Sequence, residues 1–274
     1  MDAINDILKD NGFVFSKKFG QNFISDRNLL RAIVSDAGVT TADSVVEIGP
    51  GAGSLTRELA GAALKVTAYE IDSRLAPVLE KTLEGAGNVE IIFKDAMTIT
   101  DEELIARAGR DYILVANLPY YITTPILFRF TECPYPPRTA ALMVQKEVAE
   151  RLAAKPGTAQ YGAITASVAV TYDVTVTRNV SRKMFTPVPN VDSAVVRLDL
   201  NPKCRDAAGV RKLIRAAFAM RRKTLSNNLT AAGISRTATE SALETMGFAA
   251  DIRGERLSAA DFIALYELLN KNKA

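Results

Sequence analysis

The stretch Glu47-Ile48-Gly49-Pro50-Gly51-Ala52-Gly53 decides the fold, because it joins a β-branched run to a helical pattern. Glycines at such a junction let the backbone approach a ligand at the end of a sheet. The spacing is GxGxG after an acid, whereas a dinucleotide-binding turn has GxGxxG and faces a pyrophosphate. An acid repels phosphate but suits a cofactor with an ammonium and a sulfonium. We therefore predict an S-adenosylmethionine site; for the loop alone, a plain strand-to-helix turn is the alternative.

The surrounding sequence indicates a parallel sheet wound with helices, since short β-branched runs alternate with amphipathic stretches up to about Val144. We predict strands at residues 44–48, 65–71, 89–94, 112–116 and 139–144. We predict helices at residues 54–60, 73–83 and 124–130, and an earlier one at 28–36. Ser25 or Asp26 could cap the earlier helix, and Gly38 is its stop signal.

The second half of the chain changes character after Asn201-Pro202. Before that point we predict a strand at 173–178 and a hairpin strand at 191–200, while 161–172 is ambiguous. Beyond it only helices are predicted, at 210–229, 237–246 and 258–270, the last opened by a Ser258–Asp261 capping box. The expected fold is α/β: a Rossmann-like class I methyltransferase sheet, mostly parallel with a terminal antiparallel hairpin, in residues 1–201, and a small all-helical domain in 202–274.

Composition excludes several reaction classes. The 274 residues include no histidine, so catalysis through Ser/His/Asp or Cys/His is excluded. Cys133 and Cys204 stand far apart without a CxxC partner, and we expect neither a metal site nor a disulfide framework. An acidic start and the lack of a long apolar stretch lead us to expect a cytoplasmic protein. The net charge of +3 is too small to indicate a partner.

Acids follow the next two strands as well as the first. Glu70 ends the second strand and could accept hydrogen bonds from both ribose hydroxyls, although Asp72 is a neighbour of similar chemistry. Asp95 follows the third strand and could accept from the adenine amine, while Ala96 offers a backbone N–H to the ring. Each acid alone could be a solvated strand end, but three successive strand ends meet at one crevice. We therefore assign Glu70, Asp95 and Ala96 to the cofactor site.

The fourth strand ends in Asn117-Leu118-Pro119-Tyr120, over the same crevice. The exocyclic amine of adenine is a poor nucleophile because its lone pair is delocalised into the ring. The Asn117 side-chain oxygen and the Pro119 carbonyl could each accept one N–H and aim the lone pair at a methyl group. Tyr120 offers a face on which a flipped base can stack. We predict methylation of adenine N6, although a simple turn is the alternative for the tetrapeptide alone.

A second aromatic stands in Phe185-Thr186-Pro187-Val188-Pro189. Phe185 could sandwich the target base against Tyr120, or it could pack in a hairpin elbow.

The residues resemble the KsgA (RsmA) family of small-subunit ribosomal RNA adenine dimethyltransferases over nearly the whole chain. The motifs that coincide, in order, are Lys18-Phe19-Gly20-Gln21-Asn22-Phe23, residues 47–53, Glu70, Asp95, residues 117–120, residues 185–189, Val191-Asp192-Ser193-Ala194-Val195 and Phe218-Ala219-Met220-Arg221-Arg222-Lys223-Thr224-Leu225. The first and last are more diagnostic than the glycine loop, which any methyltransferase of this fold could carry.

The resemblance implies dimethylation of two adjacent adenosines in a hairpin near the 3′ end of 16S rRNA, during assembly of the small ribosomal subunit. It also implies that Asn22 and Ile24 contact the cofactor together with Gly49, Glu70, Asp95 and Asn117. Gly51 is assigned to the cofactor as part of the glycine loop. Family members often have leucine where this chain has Ile24. A backbone contact would survive that difference.

Basic residues concentrate in the C-terminal domain and predict an RNA phosphate footprint, with a solvated helix face as the alternative. They are Arg211, Lys212, Arg215, Arg221, Arg222 and Lys223; Lys17, Lys18 and Arg27 form a second group near the start.

Three other functions remain open: methylation of 23S rRNA or DNA, an RNA-binding assembly factor with a vestigial site, and a nicotinamide dehydrogenase. We expect a monomer.

Overall fold

A computed structural model describes residues 7, 12–13, 22–24 and 26–271. The strands are β1 (Phe23–Ile24), β2 (Ser44–Ile48), β3 (Lys65–Glu70), β4 (Val89–Phe93), β5 (Tyr112–Asn117), β6 (Thr139–Gln145), β7 (Tyr172–Val180), β8 (Phe185–Thr186) and β9 (Ser193–Leu200). Seven of them form one sheet in the order β4-β3-β2-β5-β6-β9-β7, and β1 pairs antiparallel with β8. The five predicted strands of the parallel part are confirmed, each within one residue at its end.

The sheet is parallel from β4 to β6, and β9 joins β6 antiparallel. The strand order reverses between β2 and β5, because β3 follows β2 on one side and β5 joins it on the other. Ligands of open α/β sheets bind at such a switch point, beyond the carboxyl ends of the strands. The predicted Rossmann-like sheet, mostly parallel with an antiparallel end, is confirmed.

Helices cover the sheet and form the C-terminal region. They are α1 (Arg27–Asp36), α2 (Ser54–Ala60), α3 (Ala76–Thr82), α4 (Asp101–Ala108), α5 (Thr123–Thr131), α6 (Lys146–Leu152), α7 (Ala163–Ala169), α8 (Ala207–Ala217), α9 (Leu225–Ala231), α10 (Arg236–Thr245) and α11 (Ala259–Lys271). Among the residues described, no helix combines the length and apolar character that a membrane span requires.

Helix starts follow the predicted capping chemistry. The Asp26 side chain accepts from Leu29 N at 2.9 Å and caps α1. Ser258 and Asp261 form the predicted box, in which Ser258 N donates to the Asp261 carboxylate at 2.8 Å and Asp261 N donates to Ser258 Oγ at 3.2 Å. Each bond satisfies a backbone donor that the first helical turn leaves free. Ser25, the other candidate cap of α1, lies outside the described residues.

The chain divides into two compact units, and the division corrects the predicted domain boundary. The first, which we call the sheet unit, contains residues 1–149 and 175–199; the second, the helical unit, contains 150–174 and 200–274. The predicted boundary near residue 201 agrees with the point, at residue 200, where the chain enters the helical unit for the second time. However, residues 150–174 also belong to the helical unit. The reason is a shared apolar core: Tyr161, Ala166 and Val170 cluster with the C-terminal helices, and the Tyr161 hydroxyl donates to Leu257 O at 2.8 Å.

The helix predicted at 210–229 is two helices, α8 and α9, joined by residues 218–224. Side chains define the break. The Asn228 amide donates to Ala217 O at 2.7 Å and to Met220 O at 3.1 Å, which satisfies carbonyls at the end of α8. The Thr224 hydroxyl accepts from Asn227 N at 3.3 Å and starts α9. Three of the predicted RNA-binding residues, 221–223, therefore lie in a connection and not on a helix.

Arg211 lies inside the helical unit, which removes it from the predicted RNA-binding set. Its side chain is 6% exposed. Its guanidinium donates to the Thr171 hydroxyl at 2.8 Å and to Ser167 O at 3.5 Å. Helical periodicity failed here, since it does not distinguish an outward basic residue from one that a neighbouring segment covers. The adjacent Lys212 is exposed.

Arg211→Ala should therefore lower the stability of the protein by about 1 to 3 kcal/mol, because it leaves buried acceptors without donors. Lys212→Ala, one residue away, should change stability by less than about 0.5 kcal/mol. Urea unfolding monitored by circular dichroism measures both. Equal stabilities for the two variants would contradict the internal role of Arg211.

Candidate active site

The carboxyl ends of β2, β3, β4 and β5 surround one pocket, which we call the crevice. Every residue that the sequence assigned to cofactor binding or catalysis lines it: Asn22, Ile24, Gly49, Gly51, Glu70, Asp95, Ala96, Asn117, Pro119, Tyr120 and Phe185. The register explains this convergence, because Ile48 of β2 lies opposite Tyr69 of β3 and Ala116 of β5. The residues that follow these strands therefore share one edge of the sheet.

The glycine loop needs its glycines for conformation and for space. Gly49 and Gly51 have φ of +73° and +58°, in the left-handed region that side chains rarely adopt. A Cβ on Gly51 would also lie 2.8 Å from the ring of Phe23. Gly49 N donates to Tyr69 O at 2.9 Å, and Gly51 N donates to the Glu70 carboxylate at 3.1 Å. The loop is thus bonded to the end of β3.

Glu70 and Asp72, which the sequence left as rivals, have different surroundings. Glu70 is 5% exposed, lines the crevice and accepts from Asp72 N at 2.8 Å. Asp72 is also buried, but Arg74 binds both of its carboxylate oxygens at 2.8 and 2.6 Å. A carboxylate held by a guanidinium is a poor ribose ligand. The geometry supports Glu70 as the ribose residue.

Asp95 and Ala96 stand at the turn after β4, as predicted. Asp95 Oδ1 accepts from Met97 N at 2.9 Å, which fixes the carboxylate at the rim of the crevice. Ala96 is 8% exposed and lines the same pocket. The pair can thus present an acceptor and a backbone N–H along one edge of a planar ring.

Asn117 ends β5 with its side chain oriented by a distant segment. Its amide nitrogen donates to Asn22 O at 3.1 Å. A carboxamide has donors on one side and an acceptor on the other. Since the donor side faces Asn22, the oxygen is left to accept a hydrogen bond within the crevice.

The Pro119 carbonyl, predicted as the second acceptor, already accepts two hydrogen bonds. Ile122 N donates to it at 3.1 Å and the Thr123 hydroxyl donates at 3.3 Å. Both donors belong to the start of α5. The preceding carbonyl, of Leu118, accepts no hydrogen bond from any described residue.

The two predicted aromatic residues, Tyr120 and Phe185, are buried to different extents. Tyr120 is half-buried, and its hydroxyl is hydrogen-bonded to Ser193 Oγ at 3.0 Å. Phe185 is 3% exposed, pairs with Ile24 across β1 and β8, and belongs to an apolar core cluster. Phe185 thus forms part of the crevice wall. Sequence reasoning missed Tyr121, which lines the crevice and is 60% exposed.

Comparisons with known proteins identify the family of the chain. The family model "Ribosomal RNA adenine dimethylase" matches residues 12–271. The chain belongs to the ribosomal RNA adenine dimethylase family. It is 43% identical to "Ribosomal RNA small subunit methyltransferase A" of Bacillus cereus strain AH187, over 98% of this chain and 96% of that one. The same figures hold for the protein of that name from Bacillus anthracis strain A0248.

Solved structures of related enzymes cover the same span. A dimethyladenosine transferase from Plasmodium falciparum matches with a TM-score of 0.79 and 28% identity, over 92% of this chain and 98% of that one. The 23S rRNA methyltransferase ErmE matches with a TM-score of 0.72 and 29% identity, over 91% and 100%. This dimethylase is therefore an S-adenosylmethionine-dependent rRNA adenine methyltransferase.

The exposed basic residues of the dimethylase lie mainly in its helical unit. Lys212, Arg215, Arg221, Arg222 and Lys223 all have exposed side chains. In the sheet unit, Arg27 donates to Glu58 at 2.9 Å, so part of its charge is compensated. Lys17 and Lys18 lie outside the described residues.

Glu47 gives the crevice of the dimethylase an unusual acid. The side chain is 1% exposed, and its Oε2 has no hydrogen-bond partner among the described residues. Burial, reinforced by the nearby Glu70 carboxylate, raises the pKa of Glu47 from 4.5 to about 8, although the Thr56 hydroxyl lowers it in part. At neutral pH the free enzyme thus holds a mostly neutral acid. This differs from the negative charge expected of Glu47 from the sequence.

This pKa predicts a pH dependence of stability in the cofactor-free enzyme. Between pH 4.5 and about 8 the unfolded chain releases the Glu47 proton while the folded protein keeps it. Wild-type stability should therefore fall through this window, by at most about 1.4 kcal/mol per pH unit from this group. Glu47→Gln cannot titrate and should lack this component. Urea unfolding at pH 5 and pH 8.5 gives the difference; parallel pH profiles for the two proteins would contradict the raised pKa.

Proposed function

We propose that this enzyme dimethylates the N6 amines of two adjacent adenosines in a hairpin near the 3′ end of 16S rRNA, during assembly of the small ribosomal subunit. The observation that carries the proposal is the position of the Asn117 carboxamide, whose nitrogen is bound to Asn22 O and whose oxygen is left for a substrate amine. Identity favours the small subunit, since it is 43% to a small-subunit methyltransferase and 29% to the 23S enzyme ErmE.

The crevice fits S-adenosylmethionine, which supplies an electrophilic methyl group when bound. Glu70 would hold the ribose hydroxyls, and Asp95 with Ala96 would hold the adenine edge. Gly49 and Gly51, whose lack of side chains keeps the loop open, would let the methionine part approach the backbone. Asn22 and Ile24, which also line the crevice, would contact the cofactor as well. The buried, unpartnered Glu47 Oε2 supports a cationic ligand, since such a ligand lowers the pKa of a neighbouring acid.

Two acceptors would draw the adenine amine out of conjugation. Asn117 Oδ1 is the first. Pro119 O, the acceptor that the sequence suggested, would have to share its lone pairs with Ile122 N and Thr123 Oγ1. Leu118 O, one residue earlier, has no described donor and can serve without such competition. We therefore assign the second acceptor role to the carbonyls of Leu118 and Pro119. Leu118 O is the better acceptor of the two, because no described donor competes for its lone pairs.

Attack on the methyl group makes the attached N–H acidic, so the reaction requires no dedicated base. That fits a chain without histidine. Tyr120 would carry the target base by stacking, a contribution of about 1 to 3 kcal/mol in single-strand binders. Phe185, in the wall of the crevice, would limit how far the base can enter.

RNA would be held through phosphates by the exposed basic residues of the helical unit, while one base enters the crevice. Lys212, Arg215 and residues 221–223 are the candidates, and Arg211 is excluded by its burial. We further propose that the enzyme acts as a cytoplasmic monomer on an assembling subunit. The main rival is dimethylation of 23S rRNA, which the ErmE likeness keeps open.

Asn117→Ala should lower methylation at least about a hundredfold, the usual cost of removing one group that stabilises a transition state. RNA affinity should stay unchanged, because phosphates dominate it. The assay uses labelled S-adenosylmethionine with purified small and large ribosomal subunits, followed by mapping of the modified bases.

Asn179→Ala is the matched control, since Asn179 is an exposed asparagine of the same sheet unit. It should methylate at the wild-type rate. Label found only on large-subunit RNA would reject the proposed substrate, and wild-type turnover by Asn117→Ala would reject the acceptor role.

Replacing Arg221, Arg222 and Lys223 together with alanine should weaken RNA binding across sequences. It should reduce the slope of log affinity against log salt by about one for each lost phosphate contact. Filter binding from low to high salt measures this slope. Lys81→Ala removes one exposed positive charge from the sheet unit and should leave the slope unchanged. An unchanged slope in the triple variant would place the phosphate footprint elsewhere.

A further inference from the structure

The hydroxyl of Tyr120 and that of Ser193 lie 3.0 Å apart, although 73 positions separate them in the chain. Stacking by itself needs only a ring, which phenylalanine also supplies. The hydroxyl of Tyr120 therefore has a use that base stacking leaves unexplained. Its hydrogen bond connects the turn after β5 to the first residue of β9.

Ser193 is held in place by the sheet. It is 1% exposed and lies opposite Gln145 in the antiparallel pairing of β6 and β9. The preceding residue is bonded as well: Asp192 O accepts from Lys146 N at 3.0 Å, and the Asp192 side chain accepts from Arg182 N at 3.0 Å. The backbone of Ser193 is thus held by its pairing with β6 and by the hydrogen bonds of the preceding Asp192.

Tyr120 has less support of its own. It lies in a turn, between the end of β5 and the start of α5, and its side chain is half-buried. The last torsion of a tyrosine side chain is broad, so packing on one face does not set the plane of the ring. A hydrogen bond at the far end of the ring restricts both the plane and the position.

We propose that Ser193 is a positioning residue for Tyr120, which it holds with the ring facing the crevice so that the flipped adenine stacks at a fixed depth beside Asn117. The proposal rests on the proposed function, in which Tyr120 carries the target base. Ser193 itself touches neither the base nor the cofactor. It acts by removing a rotation that would otherwise have to be frozen when the base arrives.

The test compares Ser193→Ala, Tyr120→Phe and the double variant in single-turnover methylation at saturating RNA and cofactor. Each single variant should be slower by about fivefold to tenfold, the worth of one neutral hydrogen bond. The double variant should be no slower than either single variant, because both changes remove the same bond. The affinity for S-adenosylmethionine, measured by calorimetry, and the KM for RNA should stay at wild-type values.

Controls separate positioning from general damage. Ser167→Ala removes the hydroxyl of another buried serine, 2% exposed and in the helical unit, and should methylate at the wild-type rate. Should Ser193→Ala unfold, Tyr120→Phe probes the same bond from the other side, and a wild-type rate for that variant would overturn the proposal. Additive losses in the double variant, or a loss of cofactor affinity as large as the loss of rate, would also overturn it.

Failure of the proposed function gives a different result. If the wild-type enzyme modified only another RNA, the small-subunit assignment would fall. The three variants would then be compared on that RNA, where the same non-additive pattern is expected. Tyr120→Ala provides the reference for complete loss of the ring: if it were no slower than Tyr120→Phe, the ring would not carry the base, and the positioning role of Ser193 would fail while the small-subunit assignment would stand.

Discussion

The parallel pairing of β2 with β5 is the constraint on which the site depends. It sets Ile48 beside Ala116, so the glycine loop and Asn117 emerge at the same edge of the sheet. In the proposed reaction, a cofactor lying at the end of β2 would meet the Asn117 acceptor at the end of β5. The strand order reverses at this place, which leaves room for a ligand between the two loops. Every further element refines a crevice that this register creates.

Two long-range hydrogen bonds orient side chains of the turn that follows β5. Asn22 O orients the Asn117 amide from the N-terminal segment, and Ser193 Oγ holds the Tyr120 hydroxyl from β9. The N-terminal segment that supplies Asn22 pairs through β1 with β8, and Ser193 belongs to β9, which pairs with β6. The proposed acceptor and the proposed stacking face, three residues apart on one turn, are thus each held by a distant segment of the chain.

Two buried ionisable side chains of the molecule have different consequences. Glu47 is buried in the crevice without a partner for one oxygen, and its pKa rises to about 8. Arg211 is buried in the helical unit, but hydrogen bonds to Thr171 and Ser167 compensate it. A partnered buried charge supports structure, whereas an unpartnered acid in a pocket indicates a ligand of opposite charge.

The sequence by itself determined the strands of the parallel sheet and the loop at its switch point, and it placed Glu70, Asp95 and Asn117 at the crevice, because alternation, glycine spacing and polar residues at strand ends are local signals. Asn22 and Ile24 were expected there only from the family resemblance. It could not reveal that Tyr161 and α7 pack with the C-terminal helices, that Asn228 ends α8, or that Arg211 is covered. Nor could it find the partners of Asn117 and Tyr120. Those facts depend on contacts between residues far apart in the chain, and only the tertiary structure decides which distant side chains meet.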